Sequence, residues 1–466
     1  MVYRGRLSRD CLPCRKRKLR CDLRPEGCGQ CSRARLECYG YRDHHDLVFR
    51  DETLATEQKI MARELSGKPP QPSTLELGWN IQAPYAFFSI FVFGFSRSHM
   101  ATAPGYNKAP STGYFAASVE ATSLAFLVTH LNRLDLMGPA NSAYVTAIQR
   151  LNLALNGPET LHLEEALESI LLLDTYEKMV CRNPRGSSLW INHPRGGISL
   201  LESCGSQVVT SYLGRQLGAR LVSALTVSCG AAAVAVPEAL RTLRRQLDPF
   251  VNSVKWRFMG ILASIVDLQA DLHKGGDRCK PGPVKQAEQL DAELTRLHKG
   301  LPLSWRPLRV SPVRDHPLIF GSYYDIFPDQ CAVQLANGIC VMRLLLNRII
   351  TMYSPNKSSG SDSYDIACQI CASVPQFLPS VAQQDETAPF SPVLRLQCCT
   401  LLAPLYVANH VSEDVTMRAW IGHCLQYMSD RGGMKIAQDV RDAMTNNLDL
   451  DYWFVVSMVG SYAFAT

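Results

Sequence analysis

The chain has 466 residues, of which 46% are hydrophobic and 19% are charged, and its net charge is +6. This composition can form one large hydrophobic core, or two moderate ones, beside a small appendage. No apolar stretch approaches the ~20 residues of a membrane span, and no apolar segment of a secretory signal follows the basic N-terminus. We therefore expect a protein inside the cell that does not contact a membrane.

The basic excess lies in the first 50 residues. They contain 13 Lys and Arg against six Asp and Glu, a balance of +7, whereas the rest of the chain, with 35 bases and 36 acids, balances at −1. A short segment that carries all of the net positive charge is suited to binding a polyanion.

Six of the 17 cysteines form a regular cluster in this basic segment. The spacing C-x2-C-x6-C-x6-C-x2-C-x6-C uses one unit twice, at Cys11, Cys14, Cys21, Cys28, Cys31 and Cys38. Zinc takes four thiolates in a tetrahedron, so six thiols serve either one ion with two spare thiols or two ions that share two bridging thiolates. The duplication favours two ions, with the first cysteine of each half, Cys11 and Cys28, as the bridges.

Each C-x2-C pair can begin a short helix. Asp10 is a candidate N-cap and Pro13 fits a first turn, so we predict helices over about 11–19 and 28–36. Helices this short are not stable alone, and metal binding must supply the missing folding free energy, on the order of ~10 kcal/mol. We expect Leu19, the apolar residue of the basic run, to face inward.

This segment resembles the fungal zinc binuclear cluster family of transcription factors. All six cysteines match, a basic run over residues 15–20 lies between the second and third, Asp22 follows the third, and Pro25 lies in the joining loop. The resemblance covers residues ~9–40. It implies a nuclear, zinc-dependent regulator of RNA polymerase II transcription that binds double-stranded DNA and acts on the transcription machinery.

The resemblance also implies roles for the basic residues. In the family, the position that matches Lys18 reads a CGG triplet in the major groove, and a lysine can donate to guanine O6 and N7. Arg17 projects beside Lys18. We interpret five further bases as phosphate contacts, which position a protein without specifying sequence: Arg15, Lys16, Arg20, Arg33 and Arg35. The basic run is also typical of a nuclear import signal, and small regulators of this kind often govern secondary-metabolite gene clusters.

Residues 43–113 are predicted to form a helical segment and then a linker rich in Pro and Gly. Family members commonly dimerise through a coiled coil here, and apolar residues recur every seven positions at Leu47, Leu54 and Met61. The second apolar position of each heptad is missing, so the pattern favours a single helix and leaves a homodimer open. We expect the aromatic patch at 86–93 to anchor the linker on the body.

From about residue 114 to the end, the apolar pattern is almost wholly helical, and one long helix is predicted from about Ile326 to Tyr353. The segment 190–201 resembles the all-helical middle region that follows the cluster in many fungal regulators, which implies a regulatory domain. The predicted fold is mainly α: a zinc binuclear cluster module (9–42) joined by a linker to a large all-helical domain (114–466).

We find no catalytic constellation in the sequence. A phosphate-binding loop, a dinucleotide glycine fingerprint and a nucleophile elbow are all missing. Cys368 and Cys371 have redox or metal spacing without a second pair, so we interpret them as buried helix cysteines. Trp190 and His193 are read as a packed helix start rather than a ligand pocket. We predict a regulator rather than an enzyme; the alternative is a zinc module that contacts protein or RNA.

Overall fold

The computed structural model describes residues 9–41, 78–96, 112–157, 161–181, 189–204, 210–274, 282–312, 314–354, 360–382, 389–446 and 449–463. The chain divides into two compact units, residues 1–76 and 77–466. The predicted mainly α fold is confirmed, since helices make up most of the described residues. The heptad positions 47, 54 and 61 lie outside the described residues, so the homodimer stays a prediction.

The first unit contains two five-residue helices, α1 (Leu12–Lys16) and α2 (Gly29–Arg33). Both end early because a left-handed residue follows each of them, Lys18 with φ 52° and Arg35 with φ 51°. The next amide donates back into the helix in each half, from Leu19 to Cys14 at 3.0 Å and from Leu36 to Cys31 at 2.9 Å. This is the Schellman C-cap, and it makes both helices shorter than predicted.

Two other expectations for this unit are wrong. The N-cap of α1 is Cys11 rather than Asp10. Leu19 does not face inward: it is 38% exposed, and Leu36 at the matching place in the second half is 45% exposed. The reason is that the centre of this unit is built from cysteine sulfurs, with Tyr41 packed against them, and it offers no interior for a leucine.

The second unit is a large helical body with one continuous hydrophobic core. Its helices are α3 Trp79–Ala86, α4 Gly113–His130, α5 Met137–Asn156, α6 Leu163–Val180, α7 Leu189–Cys204, α8 Tyr212–Ala231, α9 Glu238–Leu247, α10 Val254–His273, α11 Gly282–Lys299, α12 Gln330–Tyr353, α13 Gly360–Ala372, α14 Pro379–Ala382, α15 Pro392–Val411, α16 Val415–Asp430, α17 Lys435–Asn446 and α18 Tyr452–Val459. Single 3-10 turns lie between some of them, at Leu134–Leu136, Leu303–Trp305, Pro375–Phe377 and Gly460–Tyr462.

The aromatic patch belongs to this helical body. Helix α3 continues as a π-helix over Phe87–Ser96, within the range that the sequence assigned to the linker. The ring of Phe87 lies 5.3 Å from that of Phe91 and 5.9 Å from that of Phe126 on α4, measured between centroids. Because the rings pack into the core, this part of the predicted linker is folded helix.

Helix α12 runs through the core and packs against α10, α11, α13 and α15. Among the described residues, α12 is the helix that is long and apolar enough to cross a membrane, but 67% of its most apolar window is buried. It is therefore a core helix, and the described residues contain no bundle of membrane-spanning helices.

A short antiparallel pair of strands precedes α12, in a region that we expected to be almost wholly helical. β1 (Leu308–Val310) pairs with β2 (Tyr324–Ile326), and the opposite residues Arg309 and Asp325 form an ion pair at 2.9 Å. Helix α12 begins at Gln330 rather than near residue 326, because β2 takes the preceding residues and Asp329 caps the helix by accepting from the Ala332 amide at 2.8 Å.

We predict that Gly230 is required for the contact between α8 and α18. A β-carbon at Gly230 would overlap the Trp453 ring, which is held in place because its Nε1–H donates to Gln269 Oε1 at 2.9 Å. Gly230→Ala should therefore lower the free energy of unfolding by about 1–3 kcal/mol, as overpacking of a core does. Urea denaturation of the purified chain measures this change.

Gly422→Ala is the matched control. Gly422 lies inside α16, and a β-carbon there would have no atom within 4 Å. This substitution should raise the free energy of unfolding by about 0.5–1 kcal/mol, since alanine favours a helix over glycine. Equal effects of the two substitutions would contradict the packing described here.

Candidate metal centre and nucleic-acid interface

The six cysteines of the first unit converge on two overlapping sets of four sulfurs. One set is Cys11, Cys14, Cys21 and Cys28, and the other is Cys11, Cys28, Cys31 and Cys38; within each set all Sγ atoms lie within 4.8 Å of one another. Cys11 and Cys28 belong to both sets. The two residues that the sequence duplication predicted as bridges are thus the two that belong to both sets.

The spacing of the sulfurs fits tetrahedral zinc. Four thiolates at ~2.3 Å from one ion lie about 3.8 Å apart. The Sγ atom of Cys28 lies 3.6 Å from that of Cys11 and 3.5 Å from that of Cys14, and Cys11 Sγ lies 3.6 Å from Cys31 Sγ. These three distances are close to the tetrahedral spacing, and the thiolates are donors that zinc prefers.

The backbone repeats with the cysteines at an offset of 17 residues. Lys18 and Arg35 both have a positive φ, 52° and 51°, and the matching pair Leu23 and Gly40 also have a positive φ, 51° and 80°. The duplication seen in the sequence is therefore a duplication of local structure. Each half presents its first and second cysteine from the start of a short helix and its third from an extended segment.

The comparison with protein families covers this unit. Residues 9–46 match the fungal Zn(2)-Cys(6) binuclear cluster domain. The chain carries a zinc binuclear cluster domain. Such a domain binds two zinc ions, which confirms the predicted cofactor. No curated protein and no solved structure matches the chain significantly.

The family match indicates the class of protein. Zinc binuclear cluster domains are typical of DNA-binding transcription regulators, so the match supports the predicted zinc-dependent, DNA-binding transcription regulator and is consistent with a protein that is not an enzyme. The match ends at residue 46 and leaves the helical unit without a family assignment.

Proton release must accompany zinc binding in this domain. Burial raises the pKa of the Cys14 and Cys31 thiols. Burial also opposes ionisation of Cys28, but hydrogen bonds from the Cys31 backbone N–H and from the neighbouring thiols lower the pKa of Cys28. Since zinc takes thiolates, loading displaces the remaining thiol protons, and zinc affinity should rise as pH rises.

A carboxylate links the two halves of the zinc cluster domain. Both oxygens of Asp22 accept from the Gly29 amide, at 3.0 and 3.1 Å, at the start of α2, and Arg24 pairs with the same carboxylate at 3.3 Å. A negative charge is favourable at the N-terminus of a helix. The sequence singled out Asp22 only as a family match, since its contact is with a residue of the other half.

The structure places the predicted DNA-contacting bases on the surface of this domain, with one exception. Among the described residues of the domain, Lys16, Arg17, Lys18 and Arg20 form no ion pair with an acidic side chain. Arg33 and Arg35 are also exposed, and Arg33 Nε donates to the Gly29 carbonyl at 3.3 Å. Arg15 is the exception, since it is only partly exposed and its Nε atom is buried.

The cysteine pair of the helical unit lies on one helix. Cys371 is buried in α13 and Cys368 is partly buried, and burial raises the pKa of both thiols. The two overlapping sets in the zinc cluster domain account for every group of potential metal ligands found in the described residues. Cys368 and Cys371 are therefore core thiols, as interpreted from the sequence.

The structure separates the roles of Trp190 and His193. His193 Nε2 lies 3.0 Å from the Tyr144 hydroxyl and 3.2 Å from the Glu177 carboxylate, so it is a packed, hydrogen-bonded residue. Trp190, in contrast, lines a cavity of about 130 Å³ in the helical unit. The sequence reading missed this cavity because its walls come from segments as far apart as residues 91 and 461.

We predict that the shared thiolates matter more than the unshared ones. The purified wild-type chain should contain two zinc ions. Cys11→Ser or Cys28→Ser should damage both sites, because each sulfur belongs to both sets of four, whereas Cys14→Ser should mainly lose one ion. Elemental analysis of the purified variants gives the zinc content.

Cys368→Ser, outside the zinc cluster domain, is the control and should leave two ions bound. The shared-ligand arrangement would be refuted by a wild-type chain that holds one ion with two freely titratable thiols in the domain. Equal losses from Cys11→Ser and Cys14→Ser would also refute it.

Proposed function

We propose that the chain is a nuclear, sequence-specific regulator of RNA polymerase II transcription that reads CGG triplets in double-stranded DNA. The observation that carries this proposal is the run of exposed basic side chains that follows a metal-held helix. The six cysteines are the proposed zinc ligands, with Cys11 and Cys28 as bridges. Zinc binding would therefore order these basic side chains before the protein binds DNA.

Lys18 is the proposed base-reading residue. It lies one residue beyond Arg17, the C-cap of α1, its side chain is exposed, and its backbone is left-handed. A residue with a β-carbon is strained in this conformation by about 1–2 kcal/mol relative to glycine. A long cationic side chain at such a place is well situated to leave the helix end and meet guanine O6 and N7.

The remaining bases are proposed to hold the DNA backbone. Arg17 lies beside Lys18, and phosphate contacts are assigned to Arg15, Lys16, Arg20, Arg33 and Arg35. Arg35 occupies the position in the second half that Lys18 occupies in the first, with the same backbone conformation. It is therefore the closest internal comparison for Lys18.

The helical unit is proposed to be the regulatory part of the protein. In this proposal a linker within residues 43–113 follows the DNA-binding domain (9–42). The regulatory domain, predicted over 114–466, also includes α3 and the π-helix at Phe87–Ser96, and it contacts the transcription machinery. Genes of secondary metabolism are the proposed targets, from the family resemblance alone. A homodimer through residues 43–66 remains a proposal of the same kind.

We predict that Lys18 discriminates between sequences and that Arg20 and Arg35 do not. Lys18→Ala should reduce the preference for a CGG duplex over a scrambled duplex by about 1–3 kcal/mol and leave nonspecific affinity largely unchanged. Arg20→Ala or Arg35→Ala should weaken both duplexes alike and lower the slope of log K against log salt by about one. Fluorescence anisotropy at three salt concentrations measures both quantities.

Lys18→Gly provides the backbone control. Glycine relieves the left-handed strain, so a loss of CGG preference equal to that of Lys18→Ala would assign the effect to the side chain. If Lys18→Ala weakens both duplexes equally while Arg20→Ala removes the CGG preference, the assigned roles are wrong. If the wild-type chain binds RNA or protein but shows no salt-dependent duplex binding, the proposed function itself fails.

A further inference from the structure

The cavity in the helical unit has apolar walls and a charged end. Its lining comes from the π-helix, from helices α6, α7, α8, α10, α12 and α18 and from two 3-10 turns, and it includes the aromatic rings of Trp190, Phe258 and Trp305. Walls of this kind, with a few polar groups, are typical of sites for small molecules.

The charged residues that line the cavity are mostly cations. They are Asp174 and Lys178 on α6, Arg220 on α8 and Lys255 on α10. Lys178 Nζ lies 2.7 Å from Asp174 Oδ2, so these two charges offset each other. The lining therefore holds three basic side chains against one acidic side chain. Glu168, outside the lining, stabilises the charge of Arg220, while burial raises the pKa of Glu168 to about 7.

These cations are held under unfavourable conditions. Burial lowers the pKa of Arg220 to about 10, although Glu168 and Asp174 act in the opposite direction. Burial also lowers the pKa of Lys255, the nearby charge of Arg220 lowers it further, and Cys331 acts against both effects. Two cations that face one apolar cavity and repel each other are stabilised by an anion placed between them.

We propose that this cavity binds a small carboxylic acid with an apolar or aromatic body, its carboxylate between Arg220 and Lys255. A single negative charge suits a lining in which basic side chains outnumber acidic ones, and carboxylates accept charge-assisted hydrogen bonds from both lysine and arginine. The cavity is about 130 Å³ and partly open, so it limits the apolar body to about one six-membered ring, since an enclosed cavity of about 150 Å³ holds benzene. This site is independent of the proposed function in DNA binding.

Benzoate is the probe, and benzamide is its neutral counterpart of the same shape. Titration of the full chain with benzoate should raise the melting temperature in a saturable way, and calorimetry should show one site per chain. Because benzamide is uncharged, it should bind roughly tenfold to a hundredfold more weakly than benzoate. Absence of saturable binding by benzoate, or equal binding of benzamide, would overturn the proposal.

Variants then locate the site. Lys255→Met and Arg220→Met should each weaken benzoate binding by about tenfold or more, since each removes one charged donor. Arg257→Met is the control: Arg257 lies on the same helix, α10, is exposed, and should leave benzoate affinity unchanged. Wild-type affinity in both Lys255→Met and Arg220→Met, or an equal loss in Arg257→Met, would place benzoate elsewhere and refute the site.

Discussion

Zinc requires four ligands, and the first unit offers six thiols to two ions. This shortage of ligands forces two sulfurs to serve both ions, and the positions of Cys11 and Cys28 between the two sets of four meet that requirement. The other features of the unit follow from it. Five-residue helices that would not form alone are held at the start by metal-binding cysteines and at the end by left-handed caps.

The two units are stabilised by different means. The first has a centre of sulfurs with Tyr41 packed against them, and its leucines lie on the surface. The second has a continuous apolar core around α12 and needs no metal to bury it. These differences support the proposed division of labour, in which metal binding orders the residues proposed to contact DNA and the helical body binds a different ligand.

The sequence predicted what depends on local spacing. The interval between cysteines predicted zinc and its two ions and indicated Cys11 and Cys28 as the bridges, and the uneven charge predicted a polyanion as the partner. The apolar pattern from about residue 114 and the long helix predicted up to Tyr353 indicated the helical body. These signals lie within short windows, so no knowledge of the tertiary fold was required.

The sequence did not predict what depends on distant contacts or on backbone conformation. Leu19 was expected inside because it is the apolar residue of its run, but its unit has no hydrocarbon interior. The left-handed caps are formed by Lys18 and Arg35 rather than by glycine, so the sequence lacks the residue that usually indicates such a cap. Two further features involve segments that are separate in the sequence: the capping contact of Asp22 and the cavity beside Arg220 and Lys255. Local sequence patterns therefore could not predict them.

The central claim is that two zinc ions build the DNA-binding surface and that the helical body folds without them. The most direct test removes zinc from the full chain with a chelator while CGG-duplex binding and far-UV circular dichroism are followed together. We predict that duplex binding is lost in step with zinc and returns when zinc is restored, while most of the helical signal persists. Duplex binding that survives in the zinc-free chain would contradict the account.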